Sequence, residues 1–244
     1  MIKHAKELEE LDIAGQFAAE TLEMLDEYVK EGISTGELDD ICHDFIVNEI
    51  KCIPACLNYK GYPKTICTSI NQVICHGIPD HKKVLKNGDI MNIDVTVIKD
   101  GYHGDTSKMY AIGNIKPHAE KLIKITQESM YKGIEIVRPG IKLGDIGYAI
   151  QKHAEGNHYS VVRDYCGHGI GANFHEDPQV LHYGTPNTGT KLEEGMCFTI
   201  EPMLNLGSHK TKLSKRDGWT VETLDGRLSA QWEHTILVTS DGFE

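Results

Sequence analysis

The sequence predicts a mixed α/β fold in which an antiparallel strand pair lies at the centre of two related halves. One observation is a hairpin pattern: apolar runs at residues 90–98 and 102–110 flank Asp100-Gly101, a dipeptide typical of two-residue hairpin turns. The other is an internal repeat, in which LKNGDIMNIDV from Leu85 matches LEEGMCFTIEP from Leu192, 107 positions later. We therefore expect two copies of one unit, each built on a central strand.

A second pair of segments supports the duplication. VKEGISTGEL from Val29 matches VRPGIKLGDI from Val137, 108 positions later, so two blocks recur in the same order at nearly equal spacing. Two copies are too few for a solenoid. Because no linker rich in Gly, Ser or Pro separates the copies, we expect one fused domain over residues 1–244, with halves at about 1–112 and 113–244.

The first half begins with a predicted helix over residues 4–30, where apolar residues recur at helical spacing and acidic residues occupy the other face. Gly32 ends this helix. Ser34 followed by Glu37 is a capping-box pattern, which predicts the start of a second helix. We expect its inward residues to be Leu38, Ile41 and Phe45. Residues 51–80, rich in Pro and Gly, should form loops and short strands before the hairpin.

The second half repeats this order. A helix begins at Pro117 with a stripe that ends near Pro139-Gly140, and another covers about 143–154. The glycine-rich segment at 166–180 is expected to be mostly loop. The segment at 205–217, NLGSHKTKLSKRD, has no apolar period and is expected to be an exposed excursion. Strands are predicted near residues 196–204, 218–223 and 233–238.

Two acidic residues interrupt the apolar hairpin. If Asp100-Gly101 is the turn, Asp105 faces Thr96, and Asp94 lies two residues along on the same face, as a diagonal neighbour of Asp105. A loop one residue longer or shorter would send the two carboxylates to opposite faces. Like charges held together on an apolar strand pair are costly unless a cation joins them, so the hairpin predicts a cation site.

Three more residues are candidate ligands. Glu201 is the repeat counterpart of Asp94, and His168 stands between two glycines that leave its imidazole unobstructed. Glu233 begins the last apolar strand. Each alone is readily explained as a turn, loop or strand-end residue. Together the set has four carboxylates and one imidazole, whose negative charge balances two divalent ions, and it favours Mn²⁺, Fe²⁺ or Co²⁺ over a thiolate-rich zinc site.

Composition and charge restrict the function classes. The chain has 244 residues, 40% of them hydrophobic, which is enough for a large core. A net charge of −11 argues against nucleic acid as the primary ligand. There is no apolar run of membrane-spanning length and no signal-peptide pattern, and the seven cysteines lack paired short spacings. We therefore expect a cytoplasmic protein with reduced thiols and no membrane partner.

Six short motifs give the chain a resemblance to a known family. They are CHGIP at 75–79, NIDVTV at 92–97, GDTSKM at 104–109, GHGIG at 167–171, FTIEPM at 198–203 and EHT at 233–235. As a set they resemble the type I methionine aminopeptidases nearly from end to end. The resemblance implies the pita-bread fold, a pseudo-twofold α/β domain in which helices cover a central curved antiparallel sheet and a dimetal centre lies between the halves.

The resemblance also implies the reaction. The enzyme would remove the initiator methionine from peptide or nascent-chain N-termini when the second residue is small. Asp105 and Glu233 would bridge two metal ions, and Asp94 would bind one of them. His168 and Glu201 would bind the other, and Glu201 would also pass a proton from water to the leaving amine. The implied metals are cobalt, manganese and iron, with zinc and nickel as further candidates.

Substrate contacts follow from the same resemblance. His76 and His175 would act in catalysis by hydrogen-bonding the scissile amide across the cleft. Thr96 would lie near the bound amine or water. A methionine side chain needs an apolar, polarisable pocket. The implied pocket residues are Cys56, Tyr59, Tyr62, Cys67, Phe174 and Trp219.

Two other functions stay open on the sequence alone. One is an X-Pro aminopeptidase or prolidase activity on the same fold, and the other is a metal-free relative that binds peptides. HEDPQ at 175–179 is not an HExxH zinc motif, because position 179 is Gln. We expect a monomer. The basic run Lys210, Lys212, Lys215 and Arg216 is typical of a solvated face, with docking near the ribosome as the alternative.

Overall fold

The structure is a computed structural model that describes residues 2–244. In that range the α-helices are α1 (Ala5–Leu25), α2 (Thr35–Asp44), α3 (Pro117–Ile134) and α4 (Leu143–Gly156). A π-helical turn, Phe45–Glu49, extends α2, and a 3₁₀ turn covers Tyr59–Gly61. The strands are β1 (Ile53–Pro54), β2 (Cys67–Ile70), β3 (Val73–Cys75), β4 (Ile90–Lys99), β5 (Tyr102–Ala111), β6 (Ser160–Val161), β7 (Gly167–Gly169), β8 (Glu176–Val180), β9 (Cys197–Ile200), β10 (Met203–Asn205), β11 (Thr211–Leu213), β12 (Val221–Thr223), β13 (Ser229–Gln231) and β14 (His234–Leu237).

The hairpin predicted at the centre of the first half is present. β4 and β5 pair along their full length, with Thr96 opposite Asp105 and Asp94 opposite Ser107. Both residues of the Asp100-Gly101 turn have positive φ, 49° and 90°, as a type I′ turn requires. The predicted register is therefore confirmed, and Asp94 and Asp105 lie on one face of the hairpin.

Each half contributes one four-stranded sheet, and the two sheets are joined at their edges. In the first half, β1 and β2 pair with the other edge of β4. In the second half, the order is β14-β9-β7-β8, and β9 is the repeat counterpart of β4. An isolated antiparallel bridge between Ser107 and Glu233 joins the sheets. Three-stranded sheets of order β13-β10-β6 and β11-β12-β3 account for the other strands.

Helices cover both sheets and bury their apolar stripes against them. Leu22 of α1 and Leu38 of α2 pack in one cluster with Ile93 of β4. Ile146 of α4 packs in a second cluster with Phe198 of β9. Burying each large aliphatic or aromatic side chain contributes roughly 1.5–3 kcal/mol, so equivalent helices stabilise equivalent strands. This is the duplicated arrangement that the repeat predicts.

The start of α2 is as predicted, Leu38 is buried and Ile41 packs on the core as expected, but Phe45 does not. The Ser34 hydroxyl accepts the Glu37 N–H at 3.2 Å, and the Glu37 carboxylate accepts the Ser34 N–H at 2.9 Å. Phe45 is only half-buried and lies outside the first-half cluster, whereas Cys42 and Ile46 are fully buried within it. The fully buried residues Leu38, Cys42 and Ile46 recur every four positions, so the inward face has moved from Phe45 to Ile46.

Both long helices end earlier than predicted. α1 ends at Leu25, where the N–H groups of Tyr28 and Val29 bond to the Leu25 carbonyl and turn the chain. α3 ends at Ile134. Apolar residues beyond each end still pack on the core, so their spacing resembles a continued helix. Within residues 2–244, no helix has the length and apolar character needed to cross a membrane.

Three segments of the second half differ from expectation. The strand predicted over 196–204 divides into β9 and β10 at Glu201-Pro202, because proline has no N–H for the ladder. The glycine-rich segment at 166–180 contains two strands, β7 and β8. The excursion at 205–217 is largely exposed as predicted, but part of it folds back as β11 on β12.

Candidate metal centre and substrate cavity

Five acidic and histidine side chains meet where the two halves join. The hairpin carries Asp94 and Asp105, β7 carries His168, and Glu201 and Glu233 flank β9 and β14. His168 Nε2 lies 3.6 Å from Asp105 Oδ2 and 3.6 Å from Glu201 Oε1. One ligand atom from each of Asp105, His168 and Glu233 lies within 4.8 Å of the other two. All five residues named from the sequence line a single cavity.

The glycines beside His168 are required by close backbone packing. A Cβ atom on Gly167 would overlap the Thr199 carbonyl, and one on Gly169 would overlap the Asp177 carbonyl. His168 is held by its own N–H, which donates to Thr199 Oγ1 at 3.0 Å, while its Nδ1 lies 3.0 Å from the Gly169 carbonyl. Nε2 is therefore the ring nitrogen left for a ligand.

The electrostatics of the cluster favour a bound cation. Burial and neighbouring carboxylates raise the pKa of Asp94, Glu201 and Glu233. Burial also raises the pKa of Asp105 and lowers that of His168. Asp94 Oδ1 is buried and, within residues 2–244, has no hydrogen-bond partner. Crowded carboxylate oxygens beside a neutral imidazole are a donor set that divalent metals bind, so these residues fit a metal centre.

Thr96 lies on the same face of the hairpin as Asp94 and Asp105, directly opposite Asp105. Its side chain is 1% exposed, and its hydroxyl donates to Asp105 Oδ1 at 2.8 Å. Thr96 therefore orients Asp105, and its place beside a bound amine or water stays a prediction.

Glu201 is held by three residues that the sequence did not single out. Thr199 Oγ1 donates to Glu201 Oε1 at 2.8 Å, and Gln231 Nε2 donates to Oε2 at 3.3 Å. The backbone N–H of Glu201 donates to His182 Nε2 at 3.1 Å. These contacts fix the carboxylate at the point where β9 ends.

Every predicted pocket residue lines the cavity, which has a volume of about 330 Å³. Cys56, Tyr62 and Cys67 form a buried apolar cluster against which Phe174 and Trp219 pack. Tyr62 is fixed by its hydroxyl, which donates to the Ile66 and Gly77 carbonyls at 3.0 and 3.1 Å. The cavity therefore has one apolar wall with thiol and aromatic character beside the acidic cluster.

His76 and His175 line the same cavity. The His76 ring stands edge-on to Trp219, with centroids 6.2 Å apart, and burial lowers its pKa. The His175 ring centroid lies 4.2 Å from that of His168. Burial disfavours the charged form of His175, and the nearby positive charge of Lys60 adds to this effect. The pKa of His175 is therefore lowered to about 3. Both imidazoles are neutral near pH 7 and each offers one donor and one acceptor.

Sequence reasoning missed several residues that line the cavity. Gln231 lies two positions before Glu233, so the period of two along an extended chain could have placed it on the same face. Residues Asp164 to Cys166 directly precede the GHGIG motif, and this nearness in sequence is the only feature that could have pointed to them. The missed lining residues are Lys60, Cys75, Asp164, Tyr165, Cys166, Met203 and Gln231.

Comparison with known sequences gives full-length matches. The profile of Peptidase_M24, described as metallopeptidase family M24, matches residues 9–240. The methionine aminopeptidase of Salmonella typhimurium is 60% identical over 243 residues, which cover 100% of this chain and 92% of that protein. The whole chain, including every candidate site residue, lies within the matched region.

Comparison with solved structures agrees. The crystal structure of methionine aminopeptidase from Rickettsia prowazekii has a TM-score of 0.98 and 59% identity, covering 100% of this chain and 98% of that one. This match confirms the predicted pita-bread class. The Xaa-Pro dipeptidase from Bacillus anthracis matches with a TM-score of 0.80 at 22% identity. The match covers 100% of this chain but only 61% of the dipeptidase. It shares the fold alone, so the comparisons support the methionine reading and not the X-Pro alternative.

Proposed function

Because this chain belongs to metallopeptidase family M24 and matches methionine aminopeptidases along its whole length, we propose that the five clustered side chains are its catalytic metal centre. Its activity is the removal of methionine from peptide N-termini, with the use of divalent metal. One observation carries the proposal: carboxylates from both halves converge on His168, whose Nε2 lies 3.6 Å from an oxygen of Asp105 and from one of Glu201.

We infer that the centre holds two divalent ions. Asp105 and Glu233, buried where the halves meet, would be shared between them; Asp94 would complete one site. His168 and Glu201 would complete the other. Cobalt, manganese and iron suit this oxygen-rich set best, with zinc and nickel as further candidates. Bound there, the ions would make a water molecule acidic enough to attack a peptide carbonyl near neutral pH.

Glu201 is the proposed proton carrier of the reaction. It lies in the cavity at the end of β9, with Oε1 3.6 Å from His168 Nε2, where it can accept a proton from the attacking water and deliver it to the leaving amine. Thr199 and Gln231 hold its two oxygens, so the carboxylate keeps one orientation during transfer.

His76 and His175 are the proposed substrate-binding catalytic histidines. Both are neutral, both line the cavity, and a neutral imidazole can donate one hydrogen bond to a developing oxyanion or accept one from the scissile N–H. The apolar wall would receive the methionine side chain, with its sulfur near Cys56, Cys67 and the aromatic rings. A small second residue is the preference that the likeness to methionine aminopeptidases implies.

The cellular setting is also part of the proposal. Seven cysteines are free, which suits a reducing compartment such as the cytoplasm. We propose a monomer and a single domain with halves at about 1–112 and 113–244. A basic surface is exposed on the excursion and would suit docking near the ribosome; nucleic acid is not proposed as a substrate. Its residues are Lys210, Lys212, Lys215 and Arg216.

The test is release of free methionine from a Met-Ala peptide. Chelation should abolish release and Mn²⁺, Fe²⁺ or Co²⁺ should restore it, whereas a Xaa-Pro substrate should not be cut. Glu201→Gln, which keeps the size of the side chain, should lower kcat by roughly 10²–10⁴-fold. Glu155→Gln on the exposed face of α4 is the matched control and should keep the wild-type rate. A Glu201→Gln enzyme with normal metal content and normal kcat would contradict the proton-carrier role.

A further inference from the structure

The hydroxyl of Tyr59 contacts an imidazole and not only the pocket. Tyr59 Oη lies 2.9 Å from His175 Nδ1, and the two rings stack with centroids 5.3 Å apart and planes 23° apart. Among the residues that the structure describes, His175 is the one hydrogen-bond partner of this hydroxyl. The Tyr59 ring also packs on Phe174, with centroids 4.9 Å apart. Tyr59 is thus fixed on His175 by both its ring and its hydroxyl.

The backbone around Tyr59 is held in an uncommon conformation. Asn58 and Lys60, on either side, both have positive φ, 67° and 49°. Left-handed residues other than glycine cost about 1 kcal/mol each and persist where the surrounding structure demands them. The turn places Lys60 Nζ 5.2 Å from the centroid of the Tyr59 ring. A cation over the ring draws electron density from the phenol and strengthens its O–H as a donor.

A neutral imidazole has one N–H donor and one bare nitrogen, and the partner of one nitrogen decides which is which. The phenol is the stronger acid and the imidazole nitrogen the stronger base, so O–H to Nδ1 is the favoured direction of the Tyr59 bond. Nδ1 is then the bare acceptor. The proton remains on Nε2, the nitrogen left for the substrate.

We propose that Tyr59 is a positioning residue that holds His175 in the tautomer with its proton on Nε2, so that the imidazole donates to the carbonyl oxygen of the substrate as it becomes negative. This rests on the catalytic role proposed above for His175. It adds a function for the Tyr59 hydroxyl that is separate from the contact of its ring with a methionine side chain.

Tyr59→Phe tests the proposal, because it keeps the ring and removes the hydroxyl. The first measurement is the ¹⁵N spectrum of histidine-labelled, metal-free protein at neutral pH, with the His175 signals identified by their loss in His175→Gln. In the wild type we expect a protonated Nε2 and a bare Nδ1. In Tyr59→Phe we expect signals averaged between the two tautomers. Tyr62→Phe, whose hydroxyl meets only carbonyl oxygens, should leave the His175 signals unchanged.

The second measurement is kinetic. Tyr59→Phe should lower kcat for a Met-Ala peptide roughly tenfold with KM within about twofold of the wild type, because the imidazole then samples both tautomers and its ring is no longer oriented by the hydroxyl. The loss is smaller than the ~10²-fold cost of removing an oxyanion donor, because part of the population keeps the proton on Nε2 in the right orientation. In a His175→Gln background the same change should cost less than about twofold, since Tyr59 acts through His175.

Three results would overturn the proposal. They are a wild-type His175 with its proton on Nδ1, a Tyr59→Phe spectrum identical to that of the wild type, and a loss of kcat that is equal in the His175→Gln background. Failure of the proposed function has a different signature, because a wild-type enzyme that releases no methionine leaves the ¹⁵N result intact and readable.

Discussion

The two halves deliver their carboxylates in different ways. In the first half, Asp94 and Asp105 lie in one hairpin whose two-residue turn sets their separation. In the second half, Glu201 and Glu233 stand at the paired ends of β9 and β14, where His234 faces Ile200, and the whole segment 202–232 lies between them. The first pair is therefore positioned by local structure and the second by long-range contacts.

The residues that hydrogen-bond the carboxylates show the same difference between local and long-range contacts. Asp105 is held by Thr96, nine residues away in the same hairpin. Glu201 is held by Thr199, two residues away, but also by Gln231 and His182, 30 and 19 residues away. Substitution of the residue that holds Asp105 should therefore lower both the free energy of unfolding and the metal affinity. Substitution of the distant residues that hold Glu201 can lower the metal affinity alone.

The largest expected effect is loss of the shared hairpin carboxylate. Asp105→Asn keeps the size of a side chain that is 4% exposed but removes the charge between His168 and the other carboxylates. We expect activity to fall by at least roughly 10³-fold and bound metal to fall below one ion per chain, measured by methionine release and elemental analysis. Asp100→Asn at the turn is the matched control, because Asn adopts positive φ readily and should keep both properties.

A smaller effect separates the two halves. Gln231→Met removes the donor to Glu201, and Thr96→Val removes the donor to Asp105; each should weaken metal binding roughly 10–100-fold in titrations. Only Thr96→Val should lower the free energy of unfolding of the metal-free protein, by about 1–3 kcal/mol, because it leaves a buried carboxylate oxygen unpaired. Gln231→Met also unpairs an oxygen of Glu201, but it removes a buried Oε1 that has no partner within residues 2–244. These two changes offset each other, so Gln231→Met should be near neutral in urea unfolding. Equal destabilisation by both would remove the distinction between the halves.

The same contrast explains what the sequence could predict. The hairpin register followed from Asp100-Gly101, because turn chemistry is local. The place of Glu201 followed from its match to Asp94 in the repeat. Thr96 followed from the same register, because it stands opposite Asp105. His182 and Thr199 carry no such signal, since a buried side chain beside a carboxylate resembles any other core residue until the chain is folded. The half-burial of Phe45 was equally hidden, because Leu38, Ile41 and Phe45 also recur at helical spacing.

The turn itself offers a test of intermediate size. Gly101 has φ of 90° with open space around it, so Gly101→Val should destabilise the fold by roughly 1–2 kcal/mol through backbone strain alone. Gly226, with φ of 72° and equally open space, is the matched position in the second half. Both valine variants should lose similar stability in urea. Metal affinity should fall only in Gly101→Val, because only that turn sets the positions of Asp94 and Asp105. An equal loss of metal affinity in Gly226→Val would contradict this role of the hairpin turn.

The smallest effect concerns an ion pair that links the N-terminal segment to the second half. Lys3 Nζ lies 2.6 Å from Glu176 Oε2 at the start of β8, with side-chain exposures of 7% and 16%. Burial opposes ionisation of Glu176, but the hydrogen bonds from Lys3 and from the Asn173 N–H outweigh it, so its pKa is lowered.

An acid whose pKa is lower in the folded state adds stability above its unfolded pKa of about 4.5, and that stability is lost as pH falls through the folded value. Lys3→Met should therefore reduce the free energy of unfolding by about 1 kcal/mol at pH 7, a value limited by partial screening from solvent. The difference from the wild type should shrink as urea unfolding is repeated toward pH 3. Lys132→Met breaks the exposed Lys132–Glu135 pair of the α3 end and should cost less than about 0.5 kcal/mol at either pH. A wild-type advantage that stays the same from pH 7 to pH 3 would show that Glu176 gains nothing from the charge of Lys3, and that packing alone makes this link between the segments.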